Sequence, residues 1–360
     1  MAQLLWLTHR SPYSHSRAGG AERTLAHLAA GLAGLGHSVT VISVGDGLKT
    51  KRFRVDGVDY FDLPTLIHAH LTVFAKPIMK RFDFVIDDLA HVVPWYSPLF
   101  RYNSGVAYFR HLHARTLKGQ VKVPLAFALS GVERTYPLVY RHWRVVTESA
   151  QSVRDLESLG FSTDRISRIP PGVDSKTFRL IEKSPTPRMV YYSGFREYKR
   201  PQDAILVLQR LRKRGVPADL TMVGRGVELE ACRQLVRKTS LTPSVRFLER
   251  LSDCDLAQLI GQSWVHIHCS RAEGWGNTVM EAAACGVPTV AYKVPGVSET
   301  VQDGITGYLA EDGDIESLTS LALLALKHSK EMEVQCRKWA ESHSWDLAIA
   351  KWNELISSTV

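Results

Sequence analysis

Short apolar segments alternate with amphipathic helical segments along nearly the whole chain of 360 residues, and this alternation restricts the fold more than any other feature. The predicted strands form two series, at 4–8, 38–44, 82–87, 106–109, 144–147 and 165–169, then at 188–193, 219–223, 245–248, 265–268 and 289–292. Helical patterns between them include 21–35, 149–159, 201–213 and 227–238. Because strand, helix and strand in succession are typical of parallel sheets covered by helices, the sequence predicts an α/β protein.

Two proline-containing segments separate the two series of strands. They are Ile169-Pro170-Pro171-Gly172 and Ser184-Pro185-Thr186-Pro187, which are typical of a stiffened turn and a polar connection. The chain is also longer than most single domains. We therefore expect two domains with a boundary near residues 170–186.

Composition excludes several classes of protein. Hydrophobic residues make up 45% of the chain and charged residues 22%, which is ordinary for a globular protein. No apolar run approaches the roughly 18 residues of a membrane span, and the N-terminus MAQLLWLTHR does not resemble a signal peptide. The five cysteines have no Cys-X-X-Cys spacing, which argues against a disulfide scaffold or a zinc site. We therefore expect a reduced, cytoplasmic protein.

Basic residues exceed acidic ones mainly in the first half of the chain. The net charge is +9, and residues 1–168 contribute +8 of it, with 21 Lys and Arg against 13 Asp and Glu. Such an excess favours acidic partners: nucleic acid, anionic lipid or phosphorylated small molecules. Charge alone does not choose among them.

A glycine loop follows the first predicted strand, where Gly19 and Gly20 precede the helical pattern at 21–35. Glycine lets an anionic group approach backbone N–H groups, and a helix N-terminus adds partial positive charge. A plain strand-to-helix turn explains these glycines equally well. No acidic residue stands in the usual place for a ribose, which disfavours a nicotinamide cofactor.

A basic turn follows the first strand of the second series. Arg196, Lys199 and Arg200 lie within five residues, between Gly194 and the helical pattern at 201–213. Parallel α/β sheets bind ligands at this edge, and Arg and Lys are the side chains that bind phosphate. A solvated basic turn is the alternative.

The most informative segment, residues 270–288, joins a predicted strand to a short apolar helix at 278–285. We expect Asn277 to cap this helix. The backbone N–H groups of Gly276, Asn277 and Thr278 would then be available to a phosphate.

Two carboxylates in this segment have different positions. Glu273 lies in the loop, within reach of a ligand, and Glu281 lies about one turn inside the helix. A buried carboxylate is costly unless it has a partner, and a pair of ribose hydroxyls would satisfy Glu281. A structural role, in which Glu281 caps a neighbouring turn, stays open.

Together these motifs resemble glycosyltransferase family 4, the retaining enzymes with the GT-B fold that use nucleotide sugars. The resemblance covers nearly the whole chain, and its parts lie in order at 19–23, 172–174 with Phe178, 198–201, 223–226, 245–248, 273–276 with Glu281, 295–297 and 303–307. Each motif is weak alone, but their order and spacing are specific.

The resemblance implies two Rossmann-like domains whose parallel sheets face each other across a cleft. Residues 1–170 would form the acceptor domain, and residues 171–343 would form the nucleotide-sugar-binding domain. The C-terminal helix, about 344–360, would pack back onto the first domain.

The resemblance also implies residue roles. Glu281 would bind the ribose, Glu273 would bind hydroxyls of the transferred sugar, and Lys199 would neutralise the leaving diphosphate. The other donor-binding residues would be Gly19, Gly20, Arg246, Phe247, Leu248, Gly274, Trp275, Gly276, Asn277 and Thr278. The donor would be a UDP- or GDP-sugar, and no other cofactor is implied.

Two site residues of the family, an arginine and a histidine, have to be assigned to one of several neighbouring positions in this chain. The family arginine that directly follows the glycine is Phe195 here, so Arg196, one position later, would supply the guanidinium. The family histidine that follows an N-terminal strand is His111 or His113, and its distance from the strand favours His111.

The expected chemistry is transfer with retention and without a metal. Lys199, Arg196 and the helix N-terminus at Asn277 would stabilise the charge on the leaving phosphate. No Asp-X-Asp metal anchor stands in the matched sites, and Asp87 and Asp88 are interpreted as a loop near the acceptor. A nucleotide-sugar epimerase or phosphorylase of the same fold is the alternative, and a nucleic-acid-binding protein, for which no motif is present, is a remote one.

The acceptor is a glycan, a lipid-linked molecule or a small molecule, and the sequence does not decide among them. Because the charge excess lies in the expected acceptor domain, a phosphorylated or membrane-held acceptor is favoured. Aromatic and basic residues at 91–96, 99–102 and 118–144 would either contact the inner face of the membrane peripherally or line the core or the acceptor pocket.

Overall fold

The computed structural model describes residues 1–16, 18–75, 81–91, 93–100, 104–113 and 129–359. The chain divides into two compact units, Met1–Gly172 with Trp345–Val360, and Val173–Ser344. Each unit is a parallel sheet with helices, which confirms the predicted α/β class with two Rossmann-like domains.

The first unit is built on an eight-stranded sheet. Its strands are β1 (Gln3–Leu7), β2 (Ser38–Val44), β3 (Lys51–Val55), β4 (Val58–Leu63), β5 (Phe84–Leu89), β6 (Gly105–Phe109), β7 (Arg144–Thr147) and β8 (Ile166–Arg168). The order is β3-β4-β2-β1-β5-β6-β7-β8, and every pair is parallel except β3 with β4. The direction in which the chain adds strands therefore reverses between β1 and β5.

The helices of the first unit include α1 (Gly20–Gly34), α2 (Leu66–Ala75), α3 (Tyr136–Val139), α4 (Ala150–Leu159) and the C-terminal α11 (Trp345–Ser357). Trp352 of α11 is fully buried, with its ring centroid 5.6 Å from that of Trp6 on β1 and 4.9 Å from that of Tyr108 on β6. This aromatic contact holds the C-terminal helix on the first sheet.

The second unit is built on a six-stranded, wholly parallel sheet. Its strands are β9 (Arg188–Tyr192), β10 (Asp219–Val223), β11 (Val245–Leu248), β12 (Val265–His268), β13 (Thr289–Tyr292) and β14 (Gly307–Ala310). Its helices include α5 (Pro201–Lys213), α6 (Leu229–Lys238), α7 (Asp253–Gln262), α8 (Asn277–Ala284), α9 (Val297–Thr300) and α10 (Ile315–Glu341). The order β11-β10-β9-β12-β13-β14 reverses between β9 and β12.

Each sheet has an apolar cluster on both faces, as the alternation of side chains along a buried strand requires. On β1, Leu4 and Trp6 belong to one cluster, and Leu5 and Leu7 belong to the other. Both faces are covered, so polar side chains reach ligands only at the ends of the strands.

Three strands were missed by the sequence analysis: β3, β4 and β14. β3 and β4 form a hairpin whose turn residues, Asp56 and Gly57, have φ of 50° and 80°. An Asp-Gly pair between two strands is typical of such a turn, so this signal was available.

The interpretation of Asp87 and Asp88 as a loop was wrong, because β5 extends through both residues to Leu89. Both carboxylates are buried. Asp87 accepts a hydrogen bond from the Tyr140 hydroxyl at 2.6 Å, and Asp88 forms an ion pair with Arg110 at 2.9 Å. Polar side chains therefore satisfy these two acids inside the sheet.

Among the residues that the structure describes, no helix is both long enough and apolar enough to cross a bilayer.

Candidate active site

The second sheet brings the two strongest site candidates together where its strand order reverses. Lys199 follows β9 in a short 3₁₀ turn, Glu197–Lys199, and Glu273 follows β12. β9 and β12 are neighbouring parallel strands, so their carboxyl ends lie at one edge of the sheet. Ligands of open α/β sheets bind at such a reversal point.

Glu273 is the centre of a buried polar cluster. Its Oε1 forms an ion pair with Lys199 Nζ, accepts a hydrogen bond from Ser270 Oγ at 2.7 Å and lies 3.2 Å from His268 Nε2. The side chains of Lys199 and Glu273 are only 14% and 16% exposed. All these contacts go to Oε1, so within the described residues Oε2 has no hydrogen-bond donor and can accept one from a ligand.

The ion pair keeps both partners charged. Burial alone would raise the pKa of Glu273, but the charge of Lys199 and the contact with His268 outweigh it and hold this pKa well below its usual range. Burial alone would lower the pKa of Lys199, but the Glu273 carboxylate outweighs it and raises this pKa. The two shifts have the directions that a strong mutual attraction requires.

The loop that carries Glu273 is held by its backbone. Glu273 N–H donates to the Pro295 carbonyl at 3.0 Å, and Arg271 N–H donates to the Tyr198 carbonyl at 2.8 Å. Gly296 has a φ of +78°, and a Cβ there would lie 2.3 Å from the Glu273 carbonyl oxygen. Only glycine fits at this position, so the Gly296 turn fixes the place of Glu273.

The start of α8 differs from the prediction. The helix begins at Asn277, and the residue at its N-cap is Gly276 rather than Asn277. A Cβ at position 276 would lie 2.5 Å from Thr300 Oγ1, so close packing favours glycine over a capping side chain. The first turn still presents N–H groups that have no acceptor within the helix, as the phosphate hypothesis needs.

Two side chains fix α8 next to the ion pair. Thr278 Oγ1 lies 3.3 Å from His268 Nδ1, and the Tyr192 hydroxyl donates to the Thr278 carbonyl. Because His268 touches Glu273 through its other ring nitrogen, the helix start and the ion pair form one cluster. Glu281 on the same helix is 9% exposed. Trp275, two residues before the helix begins, is buried.

The basic turn after β9 separates into a buried and an exposed part. Phe195, which occupies the place of the family arginine, is fully buried, and its N–H donates to the Arg225 carbonyl at 2.8 Å. Arg196 is exposed, and its charge acts on Lys199 in the direction that lowers the lysine pKa. Arg196 is therefore an exposed guanidinium near Lys199, as its proposed role requires.

Three of the predicted donor-binding residues, Arg246, Phe247 and Leu248, lie on the edge strand β11, two strands from β9. Arg246 is exposed, while Phe247 and Leu248 are half-buried. Leu248 ends the strand and its carbonyl accepts a hydrogen bond from Gly224 N–H at 2.9 Å. Of the three, Leu248 is the one at the edge of the sheet where the ion pair lies.

In the first unit, side chains of Glu22 and Arg110 bind the backbone of the glycine loop. Gly19 is the N-cap of α1 and Gly20 its first residue, and Gly19 N–H donates to Glu22 Oε2 at 2.7 Å. Arg110 Nη2 donates to the Ala21 carbonyl at 3.3 Å.

Arg110 itself is almost fully buried. Its guanidinium contacts Asp88 at 2.9 Å and Glu148 at 2.6 Å, and Tyr108 donates to Glu148 at 2.8 Å. This network joins the ends of β5, β6 and β7 to the start of α1.

The two candidate histidines differ in their surroundings. His113 is buried, with Nδ1 3.3 Å from Glu133 Oε1 and Nε2 3.1 Å from the Ala90 carbonyl. His111 is half-buried, and its ring centroid lies 4.6 Å from that of His113. His111 is therefore the more exposed of the two histidines.

Three residues of these clusters were missed by the sequence analysis. His268 and Ser270 contact Glu273, and Arg110 supports the glycine loop. His268 ends a predicted strand and Ser270 follows it, so their position relative to Glu273 was a usable signal. Nothing in the sequence near Arg110 indicates its distant partner Glu148.

Among the described residues, no group of three or more His, Cys, Asp and Glu side chains has the geometry to hold a metal ion.

Known proteins match the chain along most of its length. The model for Glycosyltransferase Family 4 matches residues 18–177, and the model for Glycosyl transferases group 1 matches residues 174–343. The glycogen synthase of Mycobacterium tuberculosis is 27% identical over 290 residues, which are 79% of this chain and 64% of that protein. The N-acetyl-alpha-D-glucosaminyl L-malate synthase of Bacillus anthracis is 34% identical over 139 residues, which are 39% of this chain and 36% of that protein.

A solved structure of the Anabaena protein HepE, in complex with UDP and glucose, has the same fold, with a TM-score of 0.78 and 17% identity. The match covers 99% of this chain and 100% of that one. The two curated relatives match over less than two thirds of their own length. Since the two family models adjoin and cover residues 18–343, and the fold agrees, the chain belongs to glycosyltransferase family 4 and has the GT-B fold.

Proposed function

We propose that this enzyme transfers a sugar from a nucleotide diphosphate sugar, with retention and without a metal ion, to an anionic or membrane-held acceptor. The observation that carries the donor assignment is the Lys199–Glu273 pair at the strand-order reversal of the second sheet. It combines a cation for phosphate with a carboxylate whose Oε2 is open to sugar hydroxyls.

The remaining donor contacts surround this pair. The first turn of α8, with Asn277 and Thr278, would bind the diphosphate through N–H groups. Glu281, four positions further along the helix, would bind the ribose. The HepE structure holds UDP, which supports a uridine nucleotide as the first donor to test, with a guanosine nucleotide second.

The leaving diphosphate gains negative charge as the sugar bond breaks. Lys199 and Arg196 would stabilise that charge without a divalent cation, because the two side chains already supply positive charge on the same turn. In the first unit His111 would contact the transferred sugar.

An anionic acceptor is supported by two observations. Residues 1–168 carry most of the basic excess of the chain. The Bacillus anthracis relative is named for a product that contains L-malate, a dicarboxylate.

We also propose peripheral membrane contact, through apolar side chains rather than Trp95, which is fully buried and stacks on His70 of α2 at 4.5 Å. Leu99 is 63% exposed, and on α2 Ile67 and Leu71 are 73% and 59% exposed. These side chains flank the His70–Trp95 stack. Residues 101–103 and 114–128, which include part of the predicted membrane segments, lie outside the described residues.

Substitution of the donor-site residues should separate chemistry from binding. We expect Lys199→Ala to slow the release of nucleoside diphosphate from the bound donor, with water as acceptor, by about 10²–10³-fold, because it removes a charge that stabilises the leaving group. Glu281→Ala should weaken donor binding about tenfold or more, because a charged hydrogen-bond acceptor is lost. Both are measured in EDTA, by nucleotide release and by calorimetric titration of UDP- and GDP-sugars.

The matched controls are Lys213→Ala and Glu331→Ala, which remove exposed charges from the same unit. They should behave as the wild type does. Wild-type rates and affinities in both test variants would show that the donor site lies elsewhere.

The ion pair should make the thermal stability of the enzyme depend on pH in the acidic range. The pKa of Glu273 lies below its ordinary value of 4.5, so the carboxylate contributes stability above that pH and loses it as the pH falls through the lowered pKa. We expect Glu273→Gln to melt at a lower temperature than the wild type at pH 7. The difference should shrink between pH 4.5 and pH 3.5.

Thermal unfolding of both proteins at pH 7, 5 and 3.5 measures this difference, with the exposed Glu331→Gln as control. A difference in melting temperature that stays constant with pH would contradict the charged pair.

Membrane contact should depend on α2. We expect the protein to float with liposomes that contain phosphatidylglycerol, and an Ile67→Ser, Leu71→Ser variant to float less, because less apolar surface enters the bilayer. Val227→Ser, which changes an 85% exposed side chain in the second unit, is the control. Equal flotation of all three proteins, or none by the wild type, would reject this contact surface.

A further inference from the structure

The first sheet also places polar side chains at its strand-order reversal. His9 follows the end of β1 by two residues, and His91 follows the end of β5 by two residues. β1 and β5 are the neighbouring strands between which the order reverses. The centroids of the two imidazole rings lie 5.1 Å apart. The same topological rule that favours a ligand at Lys199 and Glu273 favours one here.

His9 has polar atoms that the protein does not satisfy. It is only 5% exposed, and within the described residues neither Nδ1 nor Nε2 makes a hydrogen bond of ordinary geometry; the Val93 backbone makes a weaker polar contact with the ring. Its ring packs 5.0 Å from that of Trp95, whose indole Nε1 is also buried without a hydrogen bond. Buried polar groups without partners are rare because each one costs free energy, and a bound ligand is one way to satisfy them.

The groups that act on these imidazoles are mostly cationic or able to become so. Burial, together with His70, His113 and Arg10, lowers the pKa of His9 to about 3, while a polar contact with the Val93 backbone acts in the other direction. Burial likewise lowers the pKa of His91 to about 2, together with His9, Arg10, His113 and His15. Both imidazoles are therefore neutral at pH 7, and each can donate one N–H to an anion.

The nearby carboxylates have other partners. Glu133 accepts from His113 N–H at 2.7 Å and also contacts the His113 ring. Asp87, whose pKa is raised to about 6 by burial, accepts from the Tyr140 hydroxyl and from the backbone N–H groups of Trp95 and Ser97. The main influences on the pKa values of His9 and His91 include no carboxylate.

We propose that His9 and His91, with Arg10 beside them, form an oxyanion subsite that takes a phosphate or carboxylate group of the acceptor. This inference rests on the proposed function for the identity of the ligand as the acceptor. His9 supplies one buried N–H donor to the subsite, and His91, whose ring lies 5.1 Å away, is half-buried. The subsite gives the basic excess of the first unit a specific place to act.

The test follows the two rings themselves, because an anion could also bind beside Lys199. The full-length enzyme, labelled with ¹⁵N histidine, is titrated at pH 7 with glycerol 3-phosphate, with L-malate and with neutral glycerol. We expect at least one of the two anions to shift the ring signals of His9 and His91 in a saturable way, and glycerol to leave them in place. The ring signals of His9 and His91 are assigned from the spectra of the variants in which each histidine is replaced.

The substitutions are His9→Phe and His91→Phe, which keep an aromatic ring in the stack and remove the N–H group. Each should weaken the anion affinity, read from the remaining ring, about tenfold or more. The control is His142→Phe, at an exposed histidine of the same unit. Circular dichroism and the melting temperature check that each variant is folded, and if His9→Phe is not, His91→Phe carries the test.

Three results would overturn the proposal: no saturable shift with either anion, an equal shift with glycerol, or an unchanged anion affinity in the folded histidine variants. Cosedimentation with phosphatidic acid vesicles then distinguishes the source of the anion. If the wild type cosediments and His91→Phe does not, the anion belongs to a lipid headgroup. If the protein binds the anion but does not cosediment, the anion belongs to a soluble acceptor.

The failure of this inference is distinguishable from the failure of the proposed function. Donor binding is measured separately by titration with UDP- and GDP-sugars. If the protein binds the anion at His9 and His91 but binds no nucleotide sugar, the subsite is supported and the proposed function is rejected. If it binds a nucleotide sugar but not the anion at these two histidines, only the subsite is rejected.

Discussion

The Lys199–Glu273 ion pair is the interaction on which the rest of the candidate donor site depends. Removing one partner of a buried pair leaves an uncompensated charge, which typically costs about 3–5 kcal/mol. Ser270 and His268 share the same carboxylate oxygen, and His268 connects it to the start of α8. A donor would exchange this contact for two others: its diphosphate would attract Lys199, and its sugar hydroxyls would reach Glu273. The pair therefore holds both side chains in place until the donor arrives.

Both units follow one topological rule. Apolar clusters cover both faces of each sheet, so polar chemistry is confined to the carboxyl ends of the strands. In the second unit the reversal point carries opposite charges, which suit a molecule with both phosphate and hydroxyl groups. In the first it carries His9 and His91, which contact no carboxylate among the described residues and suit an anion. The chemical difference between the two reversal points fits a division into donor and acceptor sites.

Much of the fold, and the position of Lys199 and Glu273 at the ends of neighbouring strands, could be predicted from the sequence because the signals are local. Pro201 at the first position of α5 fixed the start of that helix as predicted, and α11 (Trp345–Ser357) lies within the predicted range 344–360. Contacts between distant segments could not be predicted. The cap of α8 is decided by the packing of Gly276 against Thr300, and the support of the glycine loop depends on Arg110 meeting Glu148. No local pattern encodes such pairs.

Hydrogen–deuterium exchange of the full-length enzyme, with and without a saturating UDP- or GDP-sugar, tests the central claim most directly. The donor should slow exchange at backbone amides of the turn 194–200 and of the segment 273–281, because the ligand occupies the reversal point between β9 and β12. Exchange in helices on the far faces, such as α6, should stay the same. Protection confined to other segments, or no protection by any nucleotide sugar that the enzyme binds, would contradict the account.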